Sequence, residues 1–332
     1  MIEAVKSLVR HGLYRLGLYS LIHRVRNRNT LTVFMFHRVL PRDSIAFERA
    51  EREFTLSVAG FAKCLDFIKL HYNVVPHSAI QSHLIDGQTL PSRSALITFD
   101  DGWRDTLLHA LPELKRRNLP GVLFLATEVT ELTEDRWWQD MLVEALLVPE
   151  NLTLLETDLN IATASDATRS ARMRRLASAL AESDASRRYA LLSKFVAIDT
   201  DSRQMLTEAD LLKLSPNISV AGHGHTHGPL SCLRNAQADL NTCAAKLRQM
   251  KADDWAISYP HGAQDVNTLP AANRAGFKVC YSSEPNLVNT SAKHRAQKAL
   301  GRLHIPENQW TCDGGQISNA KLATFLFFRT VL

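Results

Sequence analysis

The stretch Ala95–Asp105, ALITFDDGWRD, limits what this chain can fold into more than any other segment. Its apolar start, Ala95-Leu96-Ile97-Thr98-Phe99, is too short for a stable helix and is stopped by Gly102. That is the pattern of a strand buried on both faces in a parallel sheet. It ends in two adjacent carboxylates, Asp100 and Asp101. In open α/β sheets and barrels, reactive groups sit just past the carboxyl ends of the strands. Successive strand side chains point to opposite faces, but a turn at the strand end can bring both aspartates into one pocket. Two ionised carboxylates that close repel each other unless a proton or a cation intervenes. Ordinary Asp-Gly turn chemistry at a strand end is the plainer alternative.

Similar runs recur. Leu31–Phe36 (LTVFMF) reads as a first buried strand with His37 at its carboxyl end. Val58–Leu70 has helical periodicity, Asn73–Pro76 reads as a short strand and Ser78–Leu84 as a short helix. Asp105–Asn118 reads as one helix with Lys115-Arg116-Arg117 at its C-terminal end, where cations are favoured. Val122–Leu125, Ile218–Ala221, Trp255–Tyr259, Phe277–Ser282 and Leu303–Ile305 read as further strands, with helices over Ala236–Met250 and Leu269–Ala275. Strands alternating with helices point to an α/β chain with a parallel sheet. Residues 135–207 break this rhythm: they open on Trp137-Trp138, carry polar helical stretches such as Ala167–Glu182, and read as a helical insertion over one mouth of the sheet or barrel.

A chain of 332 residues with 45% hydrophobic and 22% charged residues can bury a large core without staples. Its net charge of +5 is mild and dispersed outside the N-terminus, so nucleic acid is not an expected partner. The five cysteines, Cys64, Cys232, Cys243, Cys280 and Cys312, form no CxxC pair. This argues against a thiolate zinc site and a disulfide framework and fits a reducing compartment. Residues 1–30 interleave Leu8, Leu13, Leu16, Leu18, Leu21 and Ile22 with Lys6, Arg10, Arg15, Arg24, Arg26 and Arg28. They read as a basic amphipathic helix without the uninterrupted apolar core of a signal peptide. Such a helix either packs on the catalytic domain of residues 31–332 or lies on an anionic membrane surface. The expected location is the cytoplasm, with peripheral contact at the inner membrane as the second reading; the oligomeric state is left open.

Gly222-His223-Gly224-His225-Thr226-His227-Gly228 follows a strand, as the Asp pair does. Three histidines so close are hard to explain as packing, because imidazole is costly to bury uncompensated and charged imidazoles repel. Neutral imidazole is a common zinc ligand, and catalytic zinc usually has three protein ligands plus water. Two His and one Asp around a divalent ion, with a second Asp free as general base, form a hydrolytic set that needs no nucleophilic serine or cysteine. The chain has no GxSxG elbow, no GxGxxG and no P-loop.

TFDDG (Thr98–Gly102), then GH-x-x-x-H (Gly222–His227), then YPHG (Tyr259–Gly262), resembles the polysaccharide deacetylase family, the NodB-homology group of carbohydrate esterase family 4. FHRV (Phe36–Val39) is similar to the first-strand segment of one bacterial branch, and Ala275-Gly276-Phe277 to a late helix-to-strand joint. The resemblance covers about residues 31–305. It implies a distorted (β/α)7 barrel with a helical insertion. It implies Asp100 as general base and Asp101, His223 and His227 as holders of a divalent metal, usually zinc. Pro260 and His261 match the segment whose backbone N–H meets the oxyanion. The family's general acid is a late-strand histidine, which points to His304, with His37 as a rival acid or substrate contact. Four features depart from the pattern: Gly224 replaces a Ser or Thr, His261 an aromatic residue, Ser258 an arginine that orients the base, and Leu303-His304 lacks the residue that separates the two in the family's late Leu-x-His strand. Arg302 and Arg38 are the candidate substitutes for that arginine.

The implied reaction is metal-assisted removal of an N-acetyl group from an amino-sugar glycan or a lipid-linked glycan precursor. The alternatives are the same machinery acting on another small C–N bond, such as a formamido sugar, and an inactive carbohydrate-binding homologue.

Overall fold

Eleven strands are described: β1 (Thr30–Phe36), β2 (Arg38–Leu40), β3 (Thr55–Ser57), β4 (Asn73–Val74), β5 (Ser94–Asp101), β6 (Gly121–Leu125), β7 (Ile218–Gly222), β8 (Asp253–Ser258), β9 (Val279–Tyr281), β10 (Val288–Asn289) and β11 (Leu303–His304). They come from a computed structural model that describes residues 2–161, 168–196, 203–214, 216–291, 298–311 and 317–332. β1, β5 and β6 are buried at every position, as their unbroken apolar runs require of strands covered on both faces.

The main sheet runs β10-β1-β5-β6-β7-β8-β9, with β4 beside the start of β5. Every pairing in it is parallel except β1 with β10. The far edge of β1 pairs with β11, placing Phe34 opposite Leu303 and Met35 opposite His304. Leu300 bridges Tyr281 of β9. Residues 300–304 thus span from β9 to β1 and draw the sheet into a barrel. Strand alternation sorts the core into two layers. Leu31, Val33, Leu96, Val122, Phe124 and Ala256 fill the interior. Phe34, Phe36, Ile97, Phe99 and Leu123 face outward beneath the helices. This is the expected distorted (β/α)7 barrel, and His37, the Asp pair, His223, Tyr259 and His304 all fall at the carboxyl ends of its strands.

Two segments differ from expectation. Asp105–Asn118 is not one α-helix: Thr106–Ala110 winds as a π-helical turn before the α-helix Leu111–Arg117. Pro112 has no N–H to donate and a fixed φ, so the α-helix starts afresh there. The N-terminus is two helices, Ile2–Arg15 and Leu18–Arg26, broken at Gly17 with φ 74°. One face of this pair packs on the C-terminal helix Asn319–Phe327. There the His23 ring stacks on Phe327 at 4.0 Å and Arg26 donates to the Phe327 and Arg329 carbonyls at 2.8 and 3.0 Å.

Within 135–207 the described elements are the helices Trp138–Ala145, Asn151–Asp158, Arg169–Ala181 and Ala185–Leu192. Trp137 and Trp138 are both buried in the core at their start. Cys64, Cys232, Cys243 and Cys280 are free thiols; Cys312 lies outside the described residues.

Candidate active site

β5 ends with both carboxylates buried in one pocket. The turn that brings them together is Asp101 itself, at φ 78°, followed by Gly102 at φ 110°. Seven described non-glycine residues have positive φ, and three of them, Asp101, His227 (φ 59°) and His261 (φ 56°), belong to this site. Such strain persists only where surrounding structure over-determines it, and it concentrates at functional sites.

Asp101, His223 and His227 converge. Asp101 Oδ1 lies 3.4 Å from His223 Nε2 and 3.1 Å from His227 Nε2. Among the described residues they are the one group of His, Cys, Asp or Glu side chains placed to hold a metal ion, with candidate ligand atoms all within 4.8 Å of one another. The remaining atoms are prepared for it. His223 Nδ1 donates to the Ser258 carbonyl at 2.8 Å, which leaves the Nε2 lone pair free. Trp103 Nε1 donates to Asp101 Oδ2 at 2.8 Å, which leaves Oδ1 toward the histidines. One carboxylate oxygen and two imidazole nitrogens suit zinc and similar divalent ions. The electrostatics agree. Burial disfavours a charged His223, but Asp100 and Asp101 outweigh it and raise its pKa, so the pocket draws positive charge.

Asp100 is held differently. Arg302, beside β11, donates to both its oxygens, Nη1 to Oδ1 at 2.7 Å and Nη2 to Oδ2 at 2.8 Å. Arg302 Nε donates to the Ser282 carbonyl at 3.0 Å, so the guanidinium is fixed from two sides. Burial opposes ionisation of Asp100, but Arg302, His223 and His37 outweigh it and hold the carboxyl below its ordinary range. Arg302 thus makes a contact to Asp100 for which Ser258 has no cationic group. Arg38, the other candidate, donates from Nε to Asp105 Oδ2 at 3.0 Å and lies over the Trp103 ring at 4.0 Å.

The loop that carries His223 and His227 is tied down by Asp239. Asp239, from the helix Ala236–Gln249, accepts the backbone N–H of His225 (2.8 Å) and Thr226 (3.0 Å) and the Thr226 hydroxyl (2.7 Å). Gly224 is at φ 72°, and a Cβ there would lie 3.0 Å from Asp239 Oδ2 and 3.2 Å from Pro260. A side chain at 224 would therefore push against the anchor of the loop. His225 is turned away from the cluster, its Nδ1 3.0 Å from Thr127 Oγ1. The insertion joins in: Gln139 Nε2 donates to the His227 carbonyl at 3.2 Å, and the Trp137 ring lies 5.0 Å from the His227 ring.

The two histidines considered for the acid part company. His37 lines the cavity, with Nε2 3.8 Å from Asp100 Oδ2 and a buried Nδ1 without a hydrogen-bond partner among the described residues. Burial, only partly offset by Asp101 and Asp100, lowers its pKa and favours the neutral ring. His304 is not among the cavity-lining residues; its ring stacks on Phe54 at 5.1 Å and meets the His37 ring edge-on at 5.7 Å. Burial pulls its pKa down to about 4. Pro260 is buried, and His261 is exposed at the rim with its ring 4.6 Å from that of His227. The whole borders a cavity of about 470 Å³, lined by the carboxylates and histidines together with Leu142, Leu146 and Met173, and also Gln139, Asp140 and Arg174, of the insertion.

Sequence reasoning missed Trp103, Asp239 and Gln139. Trp103 alone carried a signal, since it follows the DDG triplet directly.

Solved structures share this architecture. A deacetylase from Streptococcus pyogenes, PplD, superposes with TM-score 0.58 at 15% identity, over 90% of this chain and 99% of that one. The chain has the fold of the polysaccharide deacetylases. IcaB from Ammonifex degensii matches with TM-score 0.53 at 17% identity, over 90% and 97% of the two chains. The deacetylase domain of BpsB from Bordetella bronchiseptica matches with TM-score 0.52 at 18% identity, over 83% and 96%. No protein-family model and no curated protein sequence matches the chain.

Proposed function

We propose that the chain is a metal-dependent N-deacetylase that acts on an N-acetylated amino sugar in a glycan or a lipid-linked glycan precursor. The observation that carries this reading is the Arg302–Asp100 pair set beside the Asp101, His223 and His227 cluster. A carboxylate kept ionised next to a cation site is the pair of tools that amide hydrolysis needs. Asp101, His223 and His227 would hold the ion, with zinc the first choice for this donor set. When bound, it supplies Lewis acidity toward an amide carbonyl and lowers the pKa of water.

The chain's own groups divide the remaining work. Asp100 takes a proton from the attacking water, and Arg302 holds its oxygens in place for that transfer. Pro260 has no N–H, while the Tyr259 and Gly262 N–H groups donate to the Tyr281 and Tyr259 carbonyls, both at 3.0 Å. We therefore assign the oxyanion contact in this turn to the His261 N–H. Protonation of the leaving amine we assign to His37, which lines the cavity as a neutral ring, takes over the proton that Asp100 accepts from water across 3.8 Å and passes it to the amine; His304 packs against it. The apolar part of the insertion wall supports an amphiphilic precursor over a finished polymer. The Arg302 guanidinium makes the contact to Asp100 that Ser258 lacks, which weighs against reading the chain as an inactive homologue.

The test is zinc content of untagged protein together with acetate release from an N-acetylglucosamine panel, against His223→Ala and Asp100→Asn. The reading expects about one equivalent of metal, lost in His223→Ala. It expects acetate release that disappears in both variants. Formate release from N-formyl sugars without acetate release would replace it with the deformylase reading, and activity retained in Asp100→Asn would overturn the mechanism.

A further inference from the structure

Eighteen large apolar side chains are exposed among the described residues, and six of them, Leu8, Val9, Leu16, Leu18, Leu21 and Val25, fall in the N-terminal helix pair. They are exposed by 76, 53, 84, 42, 58 and 72%, respectively. Their spacing places them on one side of each helix. Leu8, Gly12 and Leu16 recur at i, i+4 and i+8, and Leu18, Leu21 and Val25 at i, i+3 and i+7. The other side is already occupied: His23 stacks on Phe327, Tyr14 on Phe67, and Arg26 is tied to two C-terminal carbonyls. The break at Gly17 lets both helices dock on the body and still show apolar stripes outward.

Charge decides what meets these stripes. From Lys6 to Arg28 the sequence contains Lys6, Arg10, Arg15, Arg24, Arg26 and Arg28 and no Asp or Glu. Arg15, Arg24 and Arg28 are exposed beside the apolar stripes. A second copy of the same face would bring like charges together and repel. An anionic lipid surface satisfies both features, taking the leucines into its acyl boundary and the arginines at its headgroups. Among the described residues no helix is long and apolar enough to cross a membrane, so the contact at issue is one at the surface. We propose that the outer face of residues 8–28 docks on an anionic membrane surface. The inference does not depend on the deacetylase reading.

The experiment is co-sedimentation of the full chain with vesicles of phosphatidylcholine alone and of phosphatidylcholine doped with phosphatidylglycerol. Two variants accompany it: Leu16→Glu/Leu21→Glu/Val25→Glu, and Arg15→Gln/Arg24→Gln/Arg28→Gln. Binding is expected to the doped vesicles only, to weaken with salt, and to fall at least about tenfold in both variants. Unchanged melting temperatures would show that the variants keep the fold. Equal binding of wild type and variants, or no binding of wild type to the doped vesicles, overturns the proposal. So does a dimer in solution that the Leu/Val variant alone abolishes, because the face would then be covered by a second copy.

Discussion

Arg302 and Asp100, 202 residues apart in sequence, meet through two parallel hydrogen bonds of 2.7 and 2.8 Å, with both side chains almost fully buried. A planar guanidinium matches a carboxylate in this way and an ammonium does not. Arg302→Lys is therefore expected to lower kcat by about 100-fold or more despite the conserved charge. Arg302→Met also removes the cation that depresses the Asp100 pKa. Without it Asp100 protonates at higher pH, so the acid limb of the kcat/KM profile should move upward. A profile that keeps its acid limb in Arg302→Met would show that Asp100 is not the group titrating there.

Trp103 orients Asp101 through one hydrogen bond of 2.8 Å. Trp103→Phe keeps an aromatic side chain, smaller than the indole, and deletes the donor. Partners of this kind typically change metal affinity by about 10- to 100-fold. Chelator competition should show a loss of that size in Trp103→Phe with little change in melting temperature. Unaltered affinity would mean that Asp101 is held by the strained backbone alone.

His37 and His304 touch, yet only His37 lines the cavity. His37→Gln is expected to reduce kcat by about 100-fold, the lower range for losing a positioned proton donor. His304→Phe should preserve the stacking on Phe54 and lose less than about tenfold. A larger loss in His304→Phe than in His37→Gln would reverse the assignment.

His23 gives stability a pH dependence away from the site. Its Nδ1 accepts from Asn27 Nδ2 at 2.9 Å and its Nε2 donates to the His71 carbonyl at 3.2 Å, so the neutral ring is fully used. Burial, aided by His71 and Arg93, lowers its pKa to about 3. The unfolded chain, titrating near the ordinary value of about 6.5, binds the extra proton between these two pH values. The stabilisation is therefore complete above about pH 6.5 and is lost as pH falls, by about 2 kcal/mol at pH 5. Denaturant melts at pH 7.5 and 5 should show this fall, and His23→Phe should flatten it.

The barrel and its Asp/His cluster were legible because most of the central strands read as short apolar runs, and three of them end at Asp, Gly-His or Pro-His. TFDDG, the His-rich loop and YPHG stand at three such ends, and a parallel sheet gathers such ends on one side. The residues that hold the site were less legible. Arg302 reaches Asp100 because β11 pairs with β1 late in the chain, and no local pattern ties the two positions. Asp239 looks like any acidic residue near a helix start, and its three bonds to the ligand loop exist only in the folded chain. Gly224 reads as a defect in a motif until the left-handed backbone and the nearby Asp239 carboxylate explain it. His37 and His304 could not be ranked without knowing which one lines the cavity, since Phe54 touches both rings.

The residues 300–304 that draw β9 toward β1 also carry the guanidinium that grips Asp100. Asp101, His223 and His227 all precede them in the chain. The cation pocket and the grip on Asp100 thus rest on different parts of the chain. Closing the barrel and holding Asp100 are one event, so on the proposed reading a lesion that only loosens the last strand would leave a protein able to load metal and unable to turn over.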